Sequence, residues 1–122
     1  MAAPKLVIQT IRDVTIVTFE DASLLEATQI EAVGNELYPL VDSKARTKLV
    51  LDLTKVKFLA SSALGVLVNL RNKSVAIKGT LVLCGLRKDL MKVFELTNMK
   101  KLFTFTATEA DALARFGVTG AG

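Results

Sequence analysis

Residues 49–70 read LVLDLTKVKFLASSALGVLVNL, and this stretch decides the fold. Leu49 to Leu53 is a short run, apolar enough on both faces to lie in the middle of a sheet. Thr54-Lys55-Val56-Lys57 follows as a surface turn, after which Phe58 and Leu59 are expected to re-enter the core. Ser61 or Ser62 can then cap a helix running to about Ala76, with Gly79 just beyond it as a stop signal. Leu64, Val66, Leu67, Val68 and Leu70 make the first half of that helix apolar on several sides, so it is expected to be buried. Burying those five side chains is worth on the order of 10 kcal/mol gross, most of it offset by conformational entropy. The stretch therefore places two hydroxyls at a strand-to-helix turn between two elements that belong inside.

Working outward, KLVIQT (5–10) and VTIVTF (14–19) are β-branched runs separated by Ile11-Arg12-Asp13, a hairpin pattern. Residues 20–27 carry turn formers and then two leucines, which predicts a loop with a brief helical turn. A helix is expected from Thr28, where Glu31 completes a capping box and Ile30, Val33, Leu37 and Val41 recur on one face. Pro39 should shorten or disturb that helix after Tyr38. Beyond the central stretch, TLVLC (80–84) reads as a strand and Lys88 to Thr97 as an amphipathic helix. Leu102 to Phe105 reads as a short strand. The last helix is placed at Thr108 to Phe116, capped by Thr108, with Asp111 at the third helical position. GVTGAG (117–122) reads as a frayed tail of about the last five residues. The order is β-β-α-β-α-β-α-β-α. It predicts one α/β domain over residues 1–122, with a mixed, mostly parallel sheet of about five strands packed with about four helices.

Composition narrows the function. Half of the 122 residues are apolar (51%), so a packed core is favoured over disorder. No apolar run approaches the roughly 18 residues of a membrane span, and the first ten residues lack the apolar centre of an export signal. The chain is therefore expected to work in the cytoplasm. One cysteine, Cys84, excludes an internal disulfide, and the complete lack of histidine removes the usual zinc sites and His-based acid–base catalysis. The formal charge of +4 is spread along the chain without interleaved aromatics, unlike a nucleic-acid reader.

The chemical candidates shrink accordingly. Asp52 ends a central strand as the phospho-acceptor of a response regulator does, but the first strand closes in Gln9-Thr10 and offers no acidic pair for Mg²⁺. The turn before the helix is Ala-Ser-Ser-Ala, without the glycines of a phosphate-binding loop. Ser61 as a nucleophile lacks a histidine base, and Lys55 and Lys57 read as solvated. Cys84, inside a buried strand, reads as packing. No enzyme activity, metal or cofactor is implied.

The element order, with FLASSALGVLVNLRN followed by a strand closing in LVLCGL, resembles the STAS domain, and within it the single-domain bacterial anti-sigma factor antagonists. The resemblance covers nearly the whole chain, including Val93-Phe94-Glu95-Leu96-Thr97 and Met99 in the third helix and its exit. The family pattern around the serines is Asp-Ser-Ser/Thr-Gly-Leu-Gly. Its first serine, which a partner serine kinase phosphorylates, maps onto Ser61, with Ser62 as the second candidate. Ala60 stands where the family has Asp, and Ala63 where it has Gly. The resemblance implies a non-enzymatic regulator that binds an anti-sigma factor with serine protein kinase activity and so releases a sigma factor. Phosphorylation would switch it off. It also implies a docking surface of Asp21, Ser23, Phe58, Ala60, Ser61 and Ser62, with self-association as a further possibility. The alternative is a constitutive STAS scaffold or subunit, in a signalling or lipid-transport complex, with Ser61 as a mere cap. Ala60 favours that alternative.

Overall fold

The computed structural model describes residues 5–118. Its strands are β1 (Leu6–Ile11), β2 (Val14–Phe19), β3 (Ser23–Leu24), β4 (Lys48–Asp52), β5 (Phe58–Leu59), β6 (Thr80–Cys84) and β7 (Thr104–Thr106). Its helices are α1 (Ala27–Asp42), α2 (Ser61–Ala76), α3 (Lys88–Leu96) and α4 (Glu109–Arg115), with a 3-10 turn at Lys100–Leu102. Five strands form one sheet in the order β1-β2-β4-β6-β7. The first pair is antiparallel and the rest are parallel. This is the mixed sheet with four helices that the sequence pattern predicts.

Side-chain alternation along the strands divides the core in two. Leu49 and Leu51 of β4, with Leu81 and Leu83 of β6, face a thick layer made by α1, α2 and α3. Val50, Val82 and Cys84 face the other way, onto the thin layer of α4, where Ala112 is buried against them. Large leucines meet three helices and smaller residues meet one. The depth of each layer is thus written into the strand alternation. Val118, at the start of the expected tail, packs into the α4 layer, and its amide closes the helix on the Leu113 carbonyl at 3.0 Å. Gly117 before it takes the left-handed conformation (φ 79) of a Schellman cap. The rest of the expected tail, 119–122, lies outside the described residues.

Several boundaries differ from expectation for physical reasons. Helix α1 begins at Ala27, with Glu26 as an N-cap that makes no side-chain bond, so the Thr28–Glu31 capping box is not formed. The helix also runs through Pro39 to Asp42. Pro39 and Asn35, whose carbonyl it leaves free, are both exposed, while Leu40 and Val41 beyond it are buried. On this exposed side solvent can reach the orphan carbonyl, and the burial of Leu40 and Val41 holds the last turn to the core. In α2, Leu64, Leu67 and Leu70 are buried, whereas Val66 and Val68 pack only partly against the core. At its end Lys78, not Gly79, takes the left-handed conformation (φ 61). Gly79 is needed for space, because a Cβ there would lie 2.9 Å from the Thr47 carbonyl oxygen. The late strand sits at 104–106, not 102–105, because the 3-10 turn takes up Leu102. Thr108 does cap α4, accepting from the Asp111 amide at 3.1 Å.

Two titratable groups on the α4 side depart from their ordinary behaviour. Burial, with smaller contributions from Asp52 and Glu109, pushes the Cys84 thiol up to about 12. Iodoacetamide should therefore leave Cys84 unmodified in the native chain and alkylate it only in denaturant; appreciable modification under native conditions would contradict the packing described. Loss of hydration, then the hydrogen bond and repulsion from Asp52, raises the carboxyl of Glu109 above its usual 4.5. The folded chain then binds this proton more tightly than the unfolded chain. The stability that Glu109 contributes is full at pH below 4.5 and is lost as pH rises through the elevated value. Replacing Glu109 with Gln should flatten the pH dependence of the urea midpoint in that window and raise the midpoint above it.

Candidate functional site

The site is the end of the sheet where β4 leaves toward α2. Leaving β4, the chain turns through Thr54 and Lys55, buries Val56, and then pairs β5 in parallel with β3, Ser23 beside Phe58 and Leu24 beside Leu59. The Lys57 amide donates to the Ala22 carbonyl at 2.7 Å, and the Ala60 amide donates to that of Leu24 at 3.0 Å. These bonds fix the entry to α2. The sequence reading treats residues 20–27 as a loop with a helical turn; a two-residue strand carries too little alternation to be seen. Phe58 also differs from expectation. Leu59 turns inward and is half-buried, while Phe58, its neighbour on the opposite side of the strand, is 59% exposed. Leu25, the residue after β3, is 54% exposed as well, so two large apolar side chains are exposed where the β3–β5 pairing leads into α2.

The serines are not caps. Ala60 is the N-cap residue (φ −75°, ψ 158°) and has no side chain with which to accept a hydrogen bond. Its carbonyl accepts from the amides of Ala63 at 3.0 Å and Leu64 at 3.2 Å. Ser61 and Ser62 are the first two helical residues, and both are exposed. Their amides have no acceptor within the helix, they stand at the positive end of the helix dipole, and the first turn of α2 carries no acidic residue. An oxyanion attached to Ser61 would therefore find donors and a favourable field without disturbing the core. Supplying the missing cap should be measurable: Ala60→Asp is expected to raise stability by about 1 kcal/mol, read as a higher urea midpoint at unchanged slope.

The remaining expected site residues divide between scaffold and surface. Asp21 is half-buried, and its carboxylate accepts from the Lys5 amide and from Gln29 Nε2, each at 3.2 Å. Gln29 also donates to the Ser23 carbonyl at 3.0 Å, so Asp21 and Gln29 brace β3 from behind. Gln29 escaped the sequence reading because its partners lie in a segment read as a loop. Lys55 bridges to Glu20 at 2.8 Å on the same rim. Ser23, Phe58, Ala60, Ser61 and Ser62 are thus brought together at one end of the sheet, with Asp21 holding the edge. Among the described residues no group of His, Cys, Asp and Glu is placed to hold a metal ion, and no helix is long and apolar enough to cross a membrane.

The chain is thus an α/β domain with a mixed sheet and an exposed serine pair opening its second helix. The STAS domain family model matches residues 5–112, and the chain belongs to that family. A relative named as an anti-sigma factor antagonist, BtrV of Bordetella bronchiseptica, is 32% identical over 90 residues, 74% of each chain. In fold the chain is similar to an anti-sigma factor antagonist from Mycobacterium paratuberculosis, with a TM-score of 0.82 at 21% identity, covering 95% of this chain and 96% of that one. It is also similar to the Bacillus cell fate determinant SpoIIAA in its phosphorylated form, with a TM-score of 0.72 at 18% identity, covering 92% and 99%. These relatives are regulatory proteins.

Proposed function

We propose that this chain is a cytoplasmic anti-sigma factor antagonist, which binds an anti-sigma factor with serine protein kinase activity through the face around Ser61. In its unphosphorylated state it occupies the anti-sigma factor and so frees a sigma factor; a phosphate on Ser61 prevents that binding. One observation carries the reading: Ser61 is an exposed first-turn serine, and the β3–β5 pairing that leads into its helix leaves Phe58 and Leu25 exposed, so the proposed acceptor and exposed apolar side chains share one end of the sheet. Phosphate adds close to two negative charges at that place. The helix amides tolerate it within this chain, while a partner surface shaped for an apolar patch and a neutral hydroxyl does not. The switch acts on association, and this chain performs no catalysis. The relative similar in sequence and the phosphorylated SpoIIAA structure support the reading by analogy.

Ala60 favours a second reading, a constitutive scaffold in a larger assembly. It leaves the acceptor serine without the carboxylate that the family pattern places beside it. Incubation with ATP and the cognate kinase separates the two. The switch predicts a single phosphate that maps to Ser61 and disappears in Ser61→Ala. The scaffold predicts an unmodified chain that co-purifies in a stable complex.

A further inference from the structure

The parallel strands β2, β4, β6 and β7 are neighbours in that order, and all four start at the end of the sheet opposite Ser61. The turn into each of them carries cations: Arg12 before β2, Lys44 and Arg46 before β4, Lys78 before β6 and Lys101 before β7. Arg46 is half-buried and the other four are exposed. In the sequence these residues are far apart, so their charge reads as dispersed; the fold gathers it at one end. The acids nearby are already engaged. Asp13, next to Arg12, pairs with Lys48 at 2.6 Å, Asp42 with Lys73 at 2.9 Å and Glu95 with Lys100 at 3.1 Å. None of the five turn cations makes an ion pair among the described residues. The Ser61 end, in contrast, mixes both signs, with Glu20, Asp21 and Asp52 near Lys5, Lys55 and Lys57.

We propose that this row of cations binds the phosphodiester backbone of a nucleic acid without reading its sequence. The row follows the strand order, and three interstrand spacings make it roughly 14 Å long. Like charges gathered in this way repel one another in the free chain, and an anionic ligand relieves that repulsion. A row suits a linear polyanion, whose charges repeat along one line. A protein partner or a membrane would seat apolar anchors within the contact. None of the exposed large apolar side chains lies in these turns. Phe58, the exposed aromatic among the described residues, is at the other end, so no ring is offered for a base to stack on. Binding therefore rests on phosphate contacts, which position a nucleic acid and carry no sequence information. It leaves the Ser61 face open.

Fluorescence anisotropy tests it with labelled mixed-sequence oligomers of about 16 nucleotides, single-stranded and duplex. Dissociation constants of about 1–100 µM are expected at physiological salt. The logarithm of the binding constant should fall with that of salt at a slope near −3.5 for the single strand, about −0.7 for each of five cations. The form bound more tightly names the source of the backbone. Lys44→Glu with Lys101→Glu should weaken binding about tenfold or more and flatten the slope by about 1.4. Arg87→Glu with Lys88→Glu makes the same charge change at the other end of the sheet and should leave both quantities near wild type. All four side chains are exposed, and circular dichroism of both variants should match wild type. Should the first variant misfold, Lys101→Glu alone carries the comparison. No binding of either oligomer at about 50 mM salt would overturn the proposal. So would equal losses in the two variants, or binding to phosphatidylserine vesicles without binding to either oligomer.

Discussion

Ser61→Glu is expected to weaken binding to the cognate anti-sigma factor by about 100-fold, the effect of a charge forced against an unmatched interface. Ser61→Ala is expected to bind as wild type does and to resist inactivation by kinase and ATP. The contrast follows from the position of Ser61. It is the first residue of α2, exposed, and it caps nothing; the cap is Ala60. Removing its hydroxyl therefore leaves a helix with the same bonds, and both variants should unfold within about 0.5 kcal/mol of wild type. Isothermal titration reads the affinity and urea denaturation reads the stability. Tight binding by Ser61→Glu would count against the switch, because an anionic group at that place would then be tolerated by the partner.

Phe94→Ala is expected to cost about 3–5 kcal/mol of stability, against a total of about 5–15 kcal/mol for an ordinary domain. Phe94 has no exposed surface and sits at the hub of an aromatic cluster. Its ring meets Phe103 edge-on at 5.6 Å and Phe105 edge-on at 5.4 Å. These contacts tie α3 to the strand that closes the sheet and to the residue that leads into it, so truncation leaves a cavity between the two elements. Leu96, two residues on, is 81% exposed, and Leu96→Ala should change stability by less than about 0.5 kcal/mol. A urea titration of the two variants compares residues from one helix that differ in burial.

The fold was legible because its strands are apolar on both faces and its helices recur at helical spacing. Leu49–Leu53 and Thr80–Cys84 could only be central, and they are. What escaped was set by tertiary context. Pro39 reads as an ending, but it lies on the solvent face, and the burial of Leu40 and Val41 outweighs one lost hydrogen bond. Ser61 and Ser62 read as caps because capping residues belong at a helix start; the β3–β5 pairing places the start one residue earlier, at Ala60. The same pairing exposes Phe58, which hydropathy alone sends inward. The end of the sheet where the proposed site lies was thus legible in the serine pair. Its surface was not, because a pair of two-residue strands separated by the whole of α1 and β4 leaves no local signature.

The central claim is that a phosphate on Ser61 governs association, and one titration tests it most directly. The chain, unphosphorylated or stoichiometrically phosphorylated, is added to the preformed complex of the cognate anti-sigma factor and its fluorescently labelled sigma factor, and release is followed by anisotropy. The account predicts stoichiometric release by the unphosphorylated chain and none by the phosphorylated chain at the same concentration. Equal release by both forms would contradict it, as would no release by either.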